Sequence, residues 1–193
     1  YEGTNGFAAP IKDFSAVACI YSEVCQLVAT EASGIKSLAD LKGKTVAVGD
    51  VGSGVYYNAV QILEAAGLDI DTDINKVTAS FGDSAQQLKD GSIDAAFITA
   101  GAPTTAITDL AMSNEITVVA VEDEKFNELS KQYGFYTQQI VPKDTYNGMT
   151  EDVKTVAVMA TYIVDKDLPE DVVYNITKSI FENKDAIAAA HVK

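Results

Sequence analysis

The sequence lacks arginine and contains only one histidine and two cysteines. All 14 basic residues are therefore lysines, so this chain cannot hold a carboxylate or phosphate by the planar, bidentate contact of a guanidinium group. His191, Cys19 and Cys25 are too few to supply the ligands of a structural zinc site or of a typical catalytic one. We therefore expect no metal and no cofactor.

Positive charge is also scarce. The 14 lysines stand against 28 acidic residues, which gives a formal net charge of -14. Nucleic acids and anionic membrane surfaces are bound through clustered basic residues, so neither is expected as a partner. No apolar run approaches the roughly 18 residues that a membrane-spanning helix needs.

The two cysteines leave two interpretations open. Only five residues separate Cys19 from Cys25, and a turn between them would allow a disulfide, which suits an oxidising compartment. The alternative is that both are small buried thiols in an apolar strand. A disulfide between Cys19 and Cys25 is therefore one of two hypotheses.

The chain alternates short apolar runs with segments of helical periodicity, which is typical of an α/β fold with a mixed or parallel sheet flanked by helices. The predicted strands are 16–21, 27–30, 45–48, 76–81, 94–99, 117–121 and 155–164. The 193 residues suffice for one large domain or for two small lobes. Because the chain has no flexible linker, two lobes would be joined by extended segments near 30–33 and 145–155.

Two predicted helices have recognisable start signals. Ser37 and Asp40 have the spacing of a capping box, in which a hydroxyl and a carboxylate satisfy free amides of the first turn. Asp83 and Gln86 repeat this spacing, and Gly91 would end that helix in a left-handed conformation.

The strongest local signal is the glycine-rich segment 49–54, which follows a predicted strand and opens a helix. Gly52 and Gly54 allow the main chain to approach a ligand closely, and Ser53 adds a hydroxyl. Free amides at a helix N-terminus, together with the helix dipole, attract an anion. The sequence therefore predicts an anion site that needs no arginine. The alternative is a tight strand-to-helix turn without a ligand.

Three enzyme motifs fail on the same segment. A P-loop needs lysine after its last glycine, where this chain has Val55. A dinucleotide fingerprint starting at Gly52 needs glycine where Tyr57 stands, and a nucleophile elbow around Ser53 needs glycine where Val51 stands. His191 is also a poor candidate for a base, so the segment predicts binding without catalysis.

A second predicted strand passes through Gly101 and Ala102 into a helix. Ligands of open α/β sheets bind at the carboxyl ends of strands, so the two loops can face one crevice. Tyr136 lies in an aromatic cluster and combines apolar area with a polar tip, as is frequent in small-ligand pockets. Half-buried packing is the alternative role for this tyrosine.

Several stretches resemble a known family. SGIKSLADLKGK at 33–44, VAVG at 46–49 and GSG at 52–54 resemble the entry to the second lobe of type II periplasmic binding proteins. The ordered set of LKDGSIDAAF at 88–97, AGAP at 100–103, YGFY at 133–136 and DLPEDVVY at 167–174 resembles the TAXI family of TRAP-transporter solute receptors.

The resemblance implies a two-lobed fold in which each lobe is a mixed, mostly parallel sheet flanked by helices. Residues 1–32 and 150–193 would belong to lobe I, whose N-terminal portion is absent from this chain, and 33–149 would form lobe II. The candidate ligand-binding residues are then Tyr21, Gly52, Ser53, Gly54, Val55, Phe81, Gly101, Ala102 and Tyr136.

The implied function is that of an extracytoplasmic receptor, periplasmic or lipid-anchored, with its export signal absent from this chain. It would bind a small organic acid resembling glutamate, glutamine or 2-oxoglutarate and deliver it to TRAP transporter subunits, as a monomer and without catalysis. The alternative is the ligand-sensing effector domain of a receptor or transcriptional regulator. An upstream export signal would favour transport, and an upstream helix-turn-helix would favour regulation.

Overall fold

A computed structural model describes residues 2–4 and 6–190 of the chain, so His191 lies outside the described residues. The strands are β1 (Phe14–Thr30), β2 (Thr45–Ala47), β3 (Asn75–Val77), β4 (Ala95–Ala100), β5 (Ile116–Val119), β6 (Thr137–Val141) and β7 (Val153–Asp165). The helices are α1 (Gly54–Ala65), α2 (Phe81–Asp90), α3 (Thr105–Ala111), α4 (Asp123–Gln132), α5 (Glu170–Glu182) and α6 (Lys184–Ala190), and two 3-10 turns cover Glu31–Ser33 and Leu38–Leu41.

The chain divides into two compact units. The larger unit is Ser22–Val158, and the smaller unit holds the two ends of the described chain, up to Tyr21 and from Met159 onward. The divisions fall inside β1 and β7, about ten residues from the boundaries at 32 and 150 that we expected for the lobes. That the larger unit is lobe II and the smaller unit part of lobe I remains a prediction.

The sheet of the larger unit is mixed. β2 pairs in parallel with β3 and with β4, whereas β1 is antiparallel to both β4 and β5. Strands β2 to β5 therefore share one direction, and β1 runs against them between β4 and β5. The predicted fold class, a mostly parallel mixed sheet flanked by helices, is confirmed.

Apolar side chains cover both faces of this sheet, as its parallel strands require. Along β4, Phe97 joins the cluster that contains Ile62 and Leu63 of α1, while Ile98 joins the cluster that contains Ile107 of α3. Alternate residues of a strand point to opposite faces. Helix α1 thus covers one face, and α3 covers the other.

The strand predictions differ from the structure in three places. The strand expected at 76–81 ends at Val77, and Phe81 already belongs to α2. The strands expected at 16–21 and 27–30 are one continuous strand, β1, because Gln26 between them is fully buried with hydrogen-bond partners for its amide. The sequence did not predict β6, since its Gln138 and Gln139 interrupt the apolar pattern of a strand.

Of the two hypotheses for the cysteines, the disulfide is wrong, because both Cys19 and Cys25 are free, and the buried thiol holds for Cys25 alone. Both lie on β1, with Cys19 exposed and Cys25 buried. A strand rises about 3.3 Å per residue, so their Cα atoms are roughly 20 Å apart. A disulfide requires Cα atoms within about 7 Å.

The capping box at Ser37 and Asp40 is confirmed: the Asp40 carboxylate accepts from the Ser37 amide at 2.8 Å. The start signal predicted at Asp83 and Gln86 is wrong, since Ser80 is the N-cap of α2 and its hydroxyl accepts from the Asp83 amide at 3.2 Å. Gly91 ends the helix with a φ of 76°, as predicted.

We expect Ser80→Ala to lower the free energy of unfolding by about 1 kcal/mol, because it leaves a first-turn amide of α2 without its acceptor. Urea unfolding followed by circular dichroism measures the change. Gln86→Ala is the control and should leave stability within about 0.5 kcal/mol. A larger loss in Gln86→Ala than in Ser80→Ala would place the helix start where the sequence pattern had it.

In the smaller unit, none of the described residues is fully buried. Helix α5 exposes much of its apolar side chains, with Tyr174 at 62% and Phe181 at 64% exposure. Tyr162 and Ile163 of β7 are more than half exposed as well. The described part of this unit therefore has no apolar core of its own.

Candidate functional site

The turn between β2 and α1 is built around glycines in the left-handed region. Gly49 has a φ of 76° and Gly52 a φ of 84°. A Cβ atom on Gly49 would lie 2.8 Å from the Cβ of Val55, closer than such atoms approach, whereas one on Gly52 would meet nothing within 4 Å. Gly49 is thus required both for its conformation and for the close contact with the first turn of α1.

At the start of α1, Ser53 is the N-cap and its hydroxyl accepts from the Tyr56 amide at 3.1 Å. The first amides of a helix have no acceptor within the helix. Those of Gly54 and Val55 precede the amide that Ser53 satisfies, and Gly54 is exposed. The Ser53 hydroxyl keeps its own proton for donation. The four predicted residues, Gly52 to Val55, therefore form one open helix start.

Four helices of the larger unit begin at the same edge of the sheet, because β2 to β5 share one direction and each leads into one of them. The first turns of α2 and α4 contain the carboxylates Asp83, Asp123 and Glu124. Neither α1 nor α3 has an acidic residue in its first turn, and α3 has only seven residues. The dipole of α1 is therefore the strongest one at this edge that no carboxylate offsets.

The predicted loop at Gly101 and Ala102 lies at this edge but is held by the protein itself. Thr104 donates from its hydroxyl to the Gly101 carbonyl at 2.8 Å and from its amide to the Tyr146 hydroxyl at 2.8 Å. Gln26 donates to the Thr104 hydroxyl at 3.0 Å and accepts from Tyr146. These bonds hold Thr104, the N-cap residue of α3, in place, although its side chain caps no amide of the helix.

Tyr136, predicted as an aromatic wall, has a different place. It is only 4% exposed, and its hydroxyl accepts from Asn58 at 2.7 Å and donates to Gln61 at 2.6 Å. Burial raises the pKa of this phenol. The Tyr136 hydroxyl is fully occupied by the side-chain amides of Asn58 and Gln61, both on α1. Tyr136 therefore fixes α1 in position, and nothing in this arrangement presents the Tyr136 side chain to a ligand.

Two other predicted residues belong to other elements of the fold. Phe81 was predicted to end a strand but is the first residue of α2. Its side chain is half-buried against the apolar cluster on the α3 face of the sheet. Tyr21 is half-buried on β1 and belongs to the smaller unit. Sequence reasoning did not select Gln26, Asn58 or Gln61, although a polar residue within an apolar pattern was the available signal.

The described residues contain no candidate metal site and no candidate membrane span. No group of three or more histidine, cysteine, aspartate or glutamate side chains there could hold a metal ion. No helix in residues 2–4 and 6–190 is long and apolar enough to cross a membrane.

The sequence model of the NMT1-like family matches residues 1–193, the whole chain. The chain belongs to the NMT1-like family. The more specific likeness to the TAXI receptors rests on the sequence motifs alone.

The NMT1-like chain is also similar to solved structures of binding proteins. It is 16% identical to a histidine-bound ABC uptake transporter protein from Streptococcus pneumoniae, covering 89% of this chain and 56% of that one, with a TM-score of 0.50. A periplasmic aliphatic sulphonate binding protein from Escherichia coli is 24% identical, with coverages of 55% and 33% and a TM-score of 0.45.

A probable amino-acid ABC transporter extracellular-binding protein from Bacillus subtilis is 16% identical, with coverages of 90% and 59% and a TM-score of 0.49. The NMT1-like chain thus spans between a third and three fifths of the lengths of these proteins. At these identities the likeness is one of fold, and it agrees with the mixed α/β sheet described above.

Proposed function

We propose that this chain is part of an extracytoplasmic solute-binding receptor that captures a small carboxylated metabolite and delivers it to a membrane transporter. The observation that carries the proposal is the open start of α1, where the Gly54 and Val55 amides and the Ser53 hydroxyl are available at the carboxyl edge of the sheet. No carboxylate of the first turn competes for the helix dipole there.

A carboxylate suits this site better than a neutral or cationic group. Main-chain amides donate hydrogen bonds, and hydrogen bonds to a charged acceptor are about twice as strong as neutral ones. The site contains no arginine, so the main-chain amides would hold one carboxylate of the ligand, and the TAXI resemblance implies glutamate, glutamine or 2-oxoglutarate as that ligand. The ligand would leave chemically unchanged, because the site offers donors and no nucleophile with an adjacent base.

We also propose that the smaller unit is part of lobe I of a two-lobed receptor. None of its described residues is fully buried, and α5 and β7 expose apolar side chains. Covering these side chains with the rest of lobe I would lower the free energy of the protein, which supports this proposal. The receptor would act as a monomer, periplasmic or lipid-anchored. The TAXI resemblance favours a TRAP-type transporter as partner, while the solved structures of this fold named above include ABC transporter proteins.

A ligand-sensing effector domain is the second candidate function, because the same helix start would serve it. The two candidates differ in what the bound form contacts. A receptor would bind its transporter subunits in a ligand-dependent way, whereas an effector domain would change the activity of a covalently attached signalling or DNA-binding domain. Sequencing upstream of Tyr1 distinguishes them directly.

A panel of glutamate, glutamine and 2-oxoglutarate tests the carboxylate site by thermal shift, on this chain and on the full-length protein. A true ligand at 100 times its Kd should stabilise the native state by about 2.7 kcal/mol. Gly54→Leu should abolish the shift yet leave the unliganded Tm nearly unchanged, because a Cβ at Gly54 meets nothing within 4 Å.

Gly82→Leu is the matched control for this experiment. Gly82 lies in the first turn of α2 at the same sheet edge, and a Cβ there also meets nothing within 4 Å, but Asp83 follows it. This variant should keep the full ligand shift. If Gly54→Leu retained the shift, or if both variants lost it equally, the start of α1 would not be the carboxylate site.

A further inference from the structure

Strand β5 has one unpaired edge. Among the described strands it pairs only with β1, in an antiparallel register that sets Val28 opposite Val118. In the same register, the Glu31 amide donates to the Glu115 carbonyl at 3.0 Å. Hydrogen-bonded pairs alternate along an antiparallel ladder. The main-chain groups of Ile116 and Val118, residues that are 5% and 4% exposed, therefore point away from β1 and into the groove that both residues line.

An open groove of about 630 Å³ runs along this edge, between β5 with the residues that follow it and the segment 148–154. Both Ile116 and Val118 line it. Its volume lies within the range of sites that hold a small ligand or a short peptide. The groove belongs wholly to the larger unit.

The groove is acidic. Its carboxylates are Glu31, Glu122, Asp123, Glu151 and Asp152, and its only lysines are Lys36 and Lys154. Lys154 is already paired with Asp123 at 2.8 Å, and Glu31 accepts from Thr117 at 2.5 Å. Glu122 and Glu151 are exposed. A cationic occupant is therefore favoured over a neutral or anionic one.

We propose that this groove binds an extended, lysine- or arginine-rich segment of a partner protein, which adds to the sheet as a strand beside β5. Two features of the groove together specify this occupant. The outward main-chain groups of Ile116 and Val118 recognise an extended backbone, and the carboxylates recognise its basic side chains. A compact cation would bind the carboxylates of the groove but would leave the main-chain groups of Ile116 and Val118 unpaired.

This groove is separate from the proposed carboxylate site. The start of α1 follows β2, and β4 and β1 lie between β2 and β5 in the sheet. The two sites also have opposite electrostatic character, since one presents free amide donors and the other carboxylates. The inference therefore stands whether or not the chain binds a metabolite at α1.

The test uses a twelve-residue peptide of alternating lysine and valine, with blocked ends, added to the ¹⁵N-labelled 193-residue chain at low ionic strength. Amide hydrogen exchange is followed by NMR. We expect exchange at Ile116 and Val118 to slow at least tenfold, since their amides would gain acceptors, while Thr117 and Val119, which face β1, should change little. Unchanged exchange at Ile116 and Val118 would overturn the proposal.

Two peptide variants separate strand pairing from charge attraction. N-methylation of all the lysines, or of all the valines, blocks alternate amides, and only one alternate set of a strand faces its neighbour. One methylated peptide should therefore bind at least tenfold more weakly than the other. Equal affinities, or full displacement of the peptide by spermine at matched charge, would show that the groove attracts charge without pairing a strand.

Protein variants locate the binding. The double variant Glu122→Gln with Glu151→Gln should weaken peptide binding about 3- to 10-fold at low salt, and the difference should shrink in about 0.5 M salt. Asp109→Asn with Glu170→Gln removes the same charge from exposed positions outside the groove and should weaken binding less than twofold. Equal effects of the two double variants would overturn the assignment to this groove.

Discussion

Gly49→Ala is expected to lower the free energy of unfolding by about 3 kcal/mol. An alanine in the left-handed region costs roughly 1–2 kcal/mol, and φ at Gly49 is 76°. Its Cβ would also lie 2.8 Å from the Cβ of Val55, and relieving such overpacking costs typically 1–3 kcal/mol. Urea unfolding at neutral pH measures the sum of the two effects.

Two neighbouring glycines serve as matched controls, because alanine at one lacks the clash and alanine at the other lacks both the clash and the unfavourable φ. Gly52→Ala keeps the unfavourable φ of 84° without a clash, so we expect a loss of about 1–2 kcal/mol. Gly54→Ala has neither problem and should leave stability unchanged or raise it by a few tenths of a kcal/mol. If Gly49→Ala were as stable as Gly54→Ala, the turn would not have the conformation described here.

The same series tests how the turn and the ligand site are coupled. Gly49 sets the contact between the turn and Val55, whose amide is one of the two proposed donors. A destabilised Gly49→Ala protein should therefore also bind its ligand more weakly. Parallel losses in stability and affinity in Gly49→Ala would tie the geometry of the turn to binding.

Local signals were sufficient to predict the start of α1. The apolar residues Val46, Ala47 and Val48 indicate a buried strand, and the glycines after them indicate a turn that exposes helix amides. Both are properties of adjacent residues, so they can be predicted without knowledge of the rest of the fold. The alternation of strands and helices likewise predicted the mixed α/β sheet.

Long-range partners could not be predicted in this way. In the sequence, Tyr136 lies in an aromatic cluster of the kind that lines ligand pockets. Its position is decided instead by Asn58 and Gln61, which are more than 70 residues away along the chain. The same holds for Gln26, whose burial depends on Thr104 and Tyr146. A side chain that satisfies a buried polar group and one that contacts a ligand have the same sequence signature.

The disulfide hypothesis failed for a related reason. The five residues between Cys19 and Cys25 could form a turn, but they continue β1, because Gln26 just after Cys25 finds partners inside the protein. Cys25 is thereby placed in the core as a free thiol. Burial raises the pKa of this thiol from its ordinary value of 9.0 to about 12.

This raised pKa predicts a loss of stability at alkaline pH. Below pH 9 the thiol is protonated in both the folded and the unfolded chain, so its contribution to stability is fully present. Between pH 9 and 12 the unfolded chain loses the proton while the folded chain keeps it, so the free energy of unfolding falls as the pH rises. At pH 11 the loss is roughly 3 kcal/mol relative to pH 8.

Cys25→Ala isolates this contribution. The variant should be about 1 kcal/mol less stable at pH 8, because a buried group is lost, but its free energy of unfolding should fall less steeply between pH 9 and 11. Alkaline transitions of groups that do not interact with Cys25 are common to both proteins and cancel in the comparison. Cys19→Ala, at an exposed position on the same strand, should keep the wild-type slope, and identical slopes for all three proteins would mean that the native thiol ionises as freely as in the unfolded chain.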